Sequence, residues 1–472
     1  MTTAAVVGSG PNGLAAAIHL AQQGVDVTLY EMADVVGGGM RTSEHTLPGV
    51  LHDDCAAFHP TGVASPFFQS LPLPEHGLTW LWPEVELAHP LDGDRAAFLY
   101  RDVARTADAL GVDDKRWSRL FNGLVNRCDD LLADALAPVV RWPSHPFLFA
   151  RFGVSSIPSA SVTARLFKTD EARALFGGSA AHALTSLRMP FSSAVGMMLT
   201  TVGQAYGWPV VQGGTIQLAN ALTSYFASIG GTIHTGIHIT SLADIPCADV
   251  VMLDTSPTAA LSIVGNALPQ KVRRAYGKYK YGPGAYKVDF AIRGDIPWAN
   301  AMVARAGTVH CGGTFDEIAD AESSTSKGQI PTRPFVLVGQ QYVADPSRSH
   351  DGVNPIWAYA HVPHGFTGDG TEAIISQIER FAPGFRERIV GMFVRNTTDM
   401  ATYNPNYVGG DIAVGANTMK QMIMRPRVAI NPYATGARGV FLCSSATPPG
   451  GGVHGMCGLN AARAAMQSLK GK

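Results

Sequence analysis

Ala4-Ala5-Val6-Val7-Gly8-Ser9-Gly10-Pro11-Asn12-Gly13-Leu14 is the stretch on which the fold turns. Its first four residues are an apolar run that predicts a buried strand, and the glycines follow at once with G-x-G-x-x-G spacing. Leu14, Ala17, Ile18 and Ala21 then recur at helical spacing as far as Gln23, and Gly24 stops the helix. Val25 to Tyr30 reads as a second strand with Glu31 at its tip and Met32 beside it. Strand, glycine turn, helix, strand and acid together predict a dinucleotide site. Gly8 permits the tight turn, Gly10 lets backbone approach a pyrophosphate, and Gly13 lets the helix pack closely on the sheet. Pro11 and Asn12 open the helix, where unpaired N–H groups and the positive end of the dipole favour an anion. Glu31 can accept hydrogen bonds from ribose hydroxyls.

A second glycine cluster follows, Val36-Gly37-Gly38-Gly39-Met40-Arg41-Thr42. It resembles the double-glycine motif of FAD-binding oxidoreductases related to amine oxidases and phytoene desaturases, in which it wraps the FAD pyrophosphate and ribose. The usual pattern is GGRxxT; here Gly39 stands at the arginine position and Arg41 is the nearest cation. The resemblance implies FAD as the cofactor, with Gly37, Gly38, Gly39, Arg41 and Thr42 around it. The other reading of Arg41 is a salt bridge.

The same resemblance returns twice. Val210-Val211-Gln212-Gly213-Gly214 leads into a helix with Leu218, Leu222, Tyr225, Phe226 and Ile229 on one face, then Gly230-Gly231 and extended structure over Thr232–His234 and Ile237–Thr240. In the family this unit ends against the adenine, which makes Ile239 its neighbour here. Near the other end, Val440 to Cys443 reads as a strand, followed by Ser444-Ser445-Ala446-Thr447-Pro448-Pro449-Gly450-Gly451-Gly452-Val453-His454-Gly455-Met456-Cys457-Gly458 and an Ala-rich helix. This is similar to the C-terminal flavin motif of phytoene desaturase-like proteins, nearest the branch called pyridine nucleotide-disulphide oxidoreductase domain-containing proteins. It implies that Gly450, Gly451, Gly452, Val453, His454, Gly455 and Met456 lie at the flavin. His454 replaces a usual proline, and either relays protons there or hydrogen-bonds the turn. His59, in a Pro-containing loop after the second glycine cluster, is either a pocket base or a locally satisfied histidine; His182 is an alternative pocket histidine.

Composition narrows the class. With 472 residues, only 15% charged, a net charge of −1 and a mean hydropathy of +0.08, the chain has a large core and no basic run for nucleic acid. Cys55, Cys128, Cys247, Cys311, Cys443 and Cys457 form no C-x-x-C pair and no metal-ligand spacing, which predicts free thiols in a reduced, cytoplasmic setting. The first strand begins a few residues after Met1, so no signal or transit peptide is expected. No apolar run reaches the length of a membrane span; peripheral membrane contact stays open.

The expected fold is α/β: a discontinuous Rossmann-like FAD-binding domain from residues 1–70, 205–285 and 425–472, with an inserted α+β substrate domain from 71–204 and 286–424. Tyr286–Ile292 and Phe335–Gly339 read as strands flooring the substrate cavity, and 320–332 as an exposed loop. The Met-rich stretch from Met189 to Leu199 lines a tunnel or forms core. The expected activity is that of a phytoene dehydrogenase-like, FAD-dependent oxidoreductase, acting on C–H/C=C bonds of a small lipophilic substrate by hydride transfer at flavin N5. The electron acceptor is left open by the sequence, with oxygen and a quinone as the candidates. Flavin-dependent amine oxidation is the nearest alternative; such enzymes flank the flavin with two aromatics, and Pro448 to Gly458 contains none. A non-catalytic flavoprotein acting through a partner is the third, and monomer and homo-oligomer are equally open.

Overall fold

The Thr3–Val7 strand sits at the centre of a five-stranded parallel sheet. Its neighbours are Asp26–Tyr30 on one side and Val250–Leu253 on the other, with Thr232–His234 and Val440–Leu442 at the edges. The computed structural model describes residues 2–138 and 141–470. Thr3–Val7, Val250–Leu253 and Val440–Leu442 are covered on both faces and read as nearly continuous apolar runs. Ala4 and Val6 pack into one layer with Leu14 and Ile18 of the Pro11–Gln22 helix, Leu218 and Leu222 of the Ile216–Ser228 helix and Leu459 of the Met456–Lys470 helix. Ala5 and Val7 point the other way, onto Ala260 and Ile263 of the Pro257–Val264 helix and onto Tyr276.

A second, seven-stranded mixed sheet has the order Ile389–Arg395, Gly284–Arg293, Val353–Val362, Val336–Gly339, Ala306–Cys311, Val85–Pro90, Ala96–Leu99. Only the pairing of Ala306–Cys311 with Val85–Pro90 is parallel. One face buries Val288, Phe290, Val338 and Ile356 against Ile374 and Ile378 of the Thr371–Glu379 helix. The other face, with Leu337, Trp357 and Tyr359, meets a layer of helices that includes Asp114–Val125, Asp170–Ala181 and Ser192–Ala205. The molecule is thus α/β, with a Rossmann-like parallel sheet and a separate mixed sheet.

Local readings differ from the structure in two places. Residues 315–326 form a helix rather than a loop across 320–332: Thr314 and Glu317 make a capping box, and Ile318, Ala319 and Ala321 form its buried face. Ile237 to Thr240 is not a strand, because the chain leaves the sheet after His234 and crosses the strand tip, the Ile237 amide donating to the Glu31 carbonyl at 2.9 Å. Within the Met-rich stretch Met197 is core, while Val195 and Leu199 border the cavity. All six cysteines are free, and among the described residues no helix is long and apolar enough to cross a membrane.

Candidate active site

A cavity of about 630 Å³ runs from the first glycine turn to the space between the mixed sheet and the helical layer. At the turn, Gly8 has φ +99°, and an added Cβ would lie 2.9 Å from the Asp254 carbonyl oxygen. A Cβ on Gly10 would lie 2.6 Å from Asp254 Oδ2, and one on Gly13 would overlap the Gly8 carbonyl. Each glycine therefore answers a contact, and at Gly8 and Gly10 that contact is with Asp254. Gly10 brings no side chain to cap the helix that starts at Pro11; Pro11 has no N–H and the Gly13 amide donates to Asp254 Oδ2 at 2.8 Å, so in the first turn it is the Asn12 amide that faces an anion at the positive end of the dipole. Asn12 Oδ1 is buried without a hydrogen-bond partner.

Glu31 braces this end. Its Oε2 accepts from the Ser9 amide at 2.9 Å and the Ser9 hydroxyl at 2.6 Å, and its Oε1 accepts from the Ala33 amide at 3.0 Å and Arg41 Nη2 at 3.3 Å. Ser9 Oγ accepts in turn from the Gly37 amide at 3.0 Å, which locks the two glycine clusters together. Arg41 is in a salt bridge and also lines the cavity. The missing arginine has a steric reason: a Cβ on Gly39 would overlap the Tyr407 hydroxyl, while the Tyr403 hydroxyl donates to the Gly38 carbonyl at 2.7 Å.

Of the residues expected at the cofactor, Gly8, Gly10, Pro11, Asn12, Glu31, Met32, Gly38, Gly39, Arg41, Ile239, Gly450, Gly451, Gly452 and Val453 line the cavity. Gly13, Gly37, Thr42, Gly455 and Met456 stand behind it. Gly37 faces Ala219, Thr42 donates to Asp53 Oδ1 at 2.8 Å, and Gly455 lies against Ala15 and Phe68. The two histidines expected in catalysis are not lining residues. His454 turns inward, accepts from the Met456 amide at 3.0 Å through Nδ1 and so caps the last helix; burial holds its pKa down, to about 4. His59 is buried against Trp80, with Nε2 3.0 Å from Thr215 Oγ1, and burial likewise lowers it to about 4. His182 does line the cavity; its Nε2 lies 2.9 Å from that of the fully buried His310, so the pair shares one proton.

The far half of the cavity is apolar. Phe58, Leu199, Trp208, Leu337, Trp357 and Tyr359 form its walls, with Trp357 and Tyr359 edge to face at 4.9 Å on the Val353–Val362 strand. These aromatics come from outside the C-terminal motif. Asp254 and Arg425 also line the cavity and were not expected from sequence. Burial raises the Asp254 carboxyl to about 7, the Gly13 amide opposing the shift and the Glu31 charge adding to it.

A family profile described as an NAD(P)-binding Rossmann-like domain matches residues 6–71. Pyridine nucleotide-disulfide oxidoreductase domain-containing protein 2 of Rattus norvegicus is 23% identical, covering 99% of this chain and 94% of its own; that of Mus musculus is 22% identical with the same coverage. Among solved structures, an oxidoreductase from Methanosarcina mazei superposes with a TM-score of 0.63 at 16% identity, over 99% of this chain and all of the other. Putrescine oxidase bound to putrescine gives 0.62 at 17% identity, and cyclohexylamine oxidase from Brevibacterium oxydans 0.60 at 16%, each over 99% of both chains. The chain is therefore similar over nearly its whole length to pyridine nucleotide-disulfide oxidoreductase domain-containing protein 2, and has a Rossmann-like dinucleotide-binding domain and the fold seen in putrescine and cyclohexylamine oxidases.

Proposed function

We propose that this chain is an FAD-dependent oxidoreductase that desaturates, saturates or isomerises the C–H/C=C framework of a lipophilic substrate, with oxygen or a quinone exchanging electrons with the flavin. One observation carries the reading: a single cavity joins the dinucleotide turn to an aromatic-walled apolar chamber. The lining fits FAD, since the bare Gly10 backbone and the helix N-terminus at Asn12 suit a diphosphate and Glu31 lines the cavity at the strand tip where a ribose would follow. Bound there, FAD would supply two-electron chemistry through its N5. The protein's own part is to hold and to shield. Ser9, Gly37 and Glu31 fix the turn, and Phe58, Trp357 and Tyr359 exclude water from the chamber.

Amine oxidation is the second reading, favoured by the aromatic walls and by the fold shared with putrescine and cyclohexylamine oxidases. Among the described residues lining the apolar half, no carboxylate is present to hold an ammonium group. The two readings separate under anaerobic mixing of the FAD-loaded protein with a conjugated polyene precursor or a lipophilic amine. Bleaching of the flavin by the former and not the latter is expected. Bleaching by the amine alone, with peroxide released on readmitting oxygen, would replace the first reading by the second.

A further inference from the structure

Arg425 lines the cavity and is 3% exposed. Its Nε donates to the Gln421 carbonyl at 2.9 Å, its Nη1 to the Ser445 carbonyl at 3.3 Å and its Nη2 to Asn417 Oδ1 at 2.7 Å. All three acceptors are neutral. The other lining arginine, Arg41, is paired with Glu31 at 3.3 Å, whereas Arg425 makes no ion pair among the described residues. Asp411, the acid that feels its charge through space, is held by the amides of Gly282, Ala413 and Gly415 at 2.7, 2.9 and 2.8 Å. A buried guanidinium without an anion is costly, and the cost falls when a ligand brings one.

The position of the charge points to the substrate. Arg425 Nη1 lies 3.0 Å from where a Cβ on Gly450 would stand, so the absence of a side chain there leaves the guanidinium uncovered at the mouth of the C-terminal glycine loop. On its other side Asn417 holds the guanidinium and donates to the Ala183 carbonyl at 2.8 Å. Ala183 lies between His182 and Leu184, both lining residues. The cation therefore stands where the dinucleotide half meets the apolar half.

We propose that the substrate is an apolar molecule bearing a carboxylate, which Arg425 receives while Asn417 holds the guanidinium in place. This names the substrate class within the reading above and rests on it. The planar fork of a guanidinium matches a carboxylate through two parallel hydrogen bonds. The aromatic chamber takes the apolar remainder.

The test uses three probes of one shape, 4-phenylbutyrate, 4-phenylbutanol and 4-phenylbutylamine, titrated into the FAD-loaded protein and followed by tryptophan fluorescence and by the flavin spectrum. Wild type should bind the carboxylate about tenfold more tightly than the alcohol. Arg425→Gln should erase that preference while keeping the affinity for the alcohol and the FAD content, and Arg425→Lys should retain part of it. Equal binding of carboxylate and alcohol by wild type overturns the proposal, as does loss of FAD itself from both variants, which would make the cofactor the partner of this charge. Failure of wild type to take up FAD would instead defeat the flavoenzyme reading. The carboxylate preference would still be read from fluorescence, because Trp208 and Trp357 line the chamber.

Discussion

Asp254 ties the cofactor site to pH. Burial raises its folded-state pKa to about 7, above the ordinary 3.8, so the folded protein holds a proton that the unfolded chain has released. Its contribution to stability is complete below the ordinary value and is lost as pH rises through 7. A diphosphate bound at Gly10, next to this carboxyl, would resist the same ionisation. FAD affinity should therefore fall above pH 7, by at most about tenfold per pH unit, and Asp254→Asn should flatten the profile in a fluorescence titration. An unchanged profile in the variant would remove Asp254 from the account. The glycines beside it were legible in the sequence through their spacing between a strand and a helix. Asp254 was not: it reaches them only because parallel pairing sets Val7 beside Leu253, so that the two strand tips end side by side. His454 and His59 are chemically able residues in suggestive loops, yet the direction each ring takes is fixed by partners at Met456 and Thr215, and the rings point away from the cavity.

The Pro11–Gln22 and Met456–Lys470 helices join the two ends of the chain, and their closeness is set by one glycine. A Cβ on Gly458 would overlap the Asn12 carbonyl, on the turn that opens the cofactor helix. Gly458→Leu should cost about 3 kcal/mol and lower the midpoint of thermal unfolding, with FAD affinity falling as well. Gln467→Leu, exposed on the same helix, should change stability by less than about 0.5 kcal/mol. Equal effects would mean that the helix contact is looser than described. Elements with one buried stripe or a capped apolar run were readable. The Val353–Val362 strand, which carries Trp357 and Tyr359, was harder: it is buried along nearly its whole length and so lacks a polar alternation, and Pro355 argues against a central strand. The Phe315–Ser326 helix hid behind Ser323 and Thr325, polar residues that the structure buries.

At the scale of the whole molecule, the dinucleotide half was legible and the substrate chamber was not. The first is written in glycine spacings next to strands, each within a few tens of residues. The second is assembled where the mixed sheet meets the helical layer, from side chains as far apart as Phe58, Trp208, Trp357 and Arg425, and no spacing in the chain announces their meeting. What unites the halves is the claim that FAD occupies the first and presents its reactive edge to the second. The most direct test is the visible spectrum of the purified protein after incubation with FAD and removal of the excess. The account predicts flavin bands with a single FAD per chain, lost in Gly10→Ala, where the added Cβ meets Asp254. A protein that keeps its fold yet retains no flavin would contradict it.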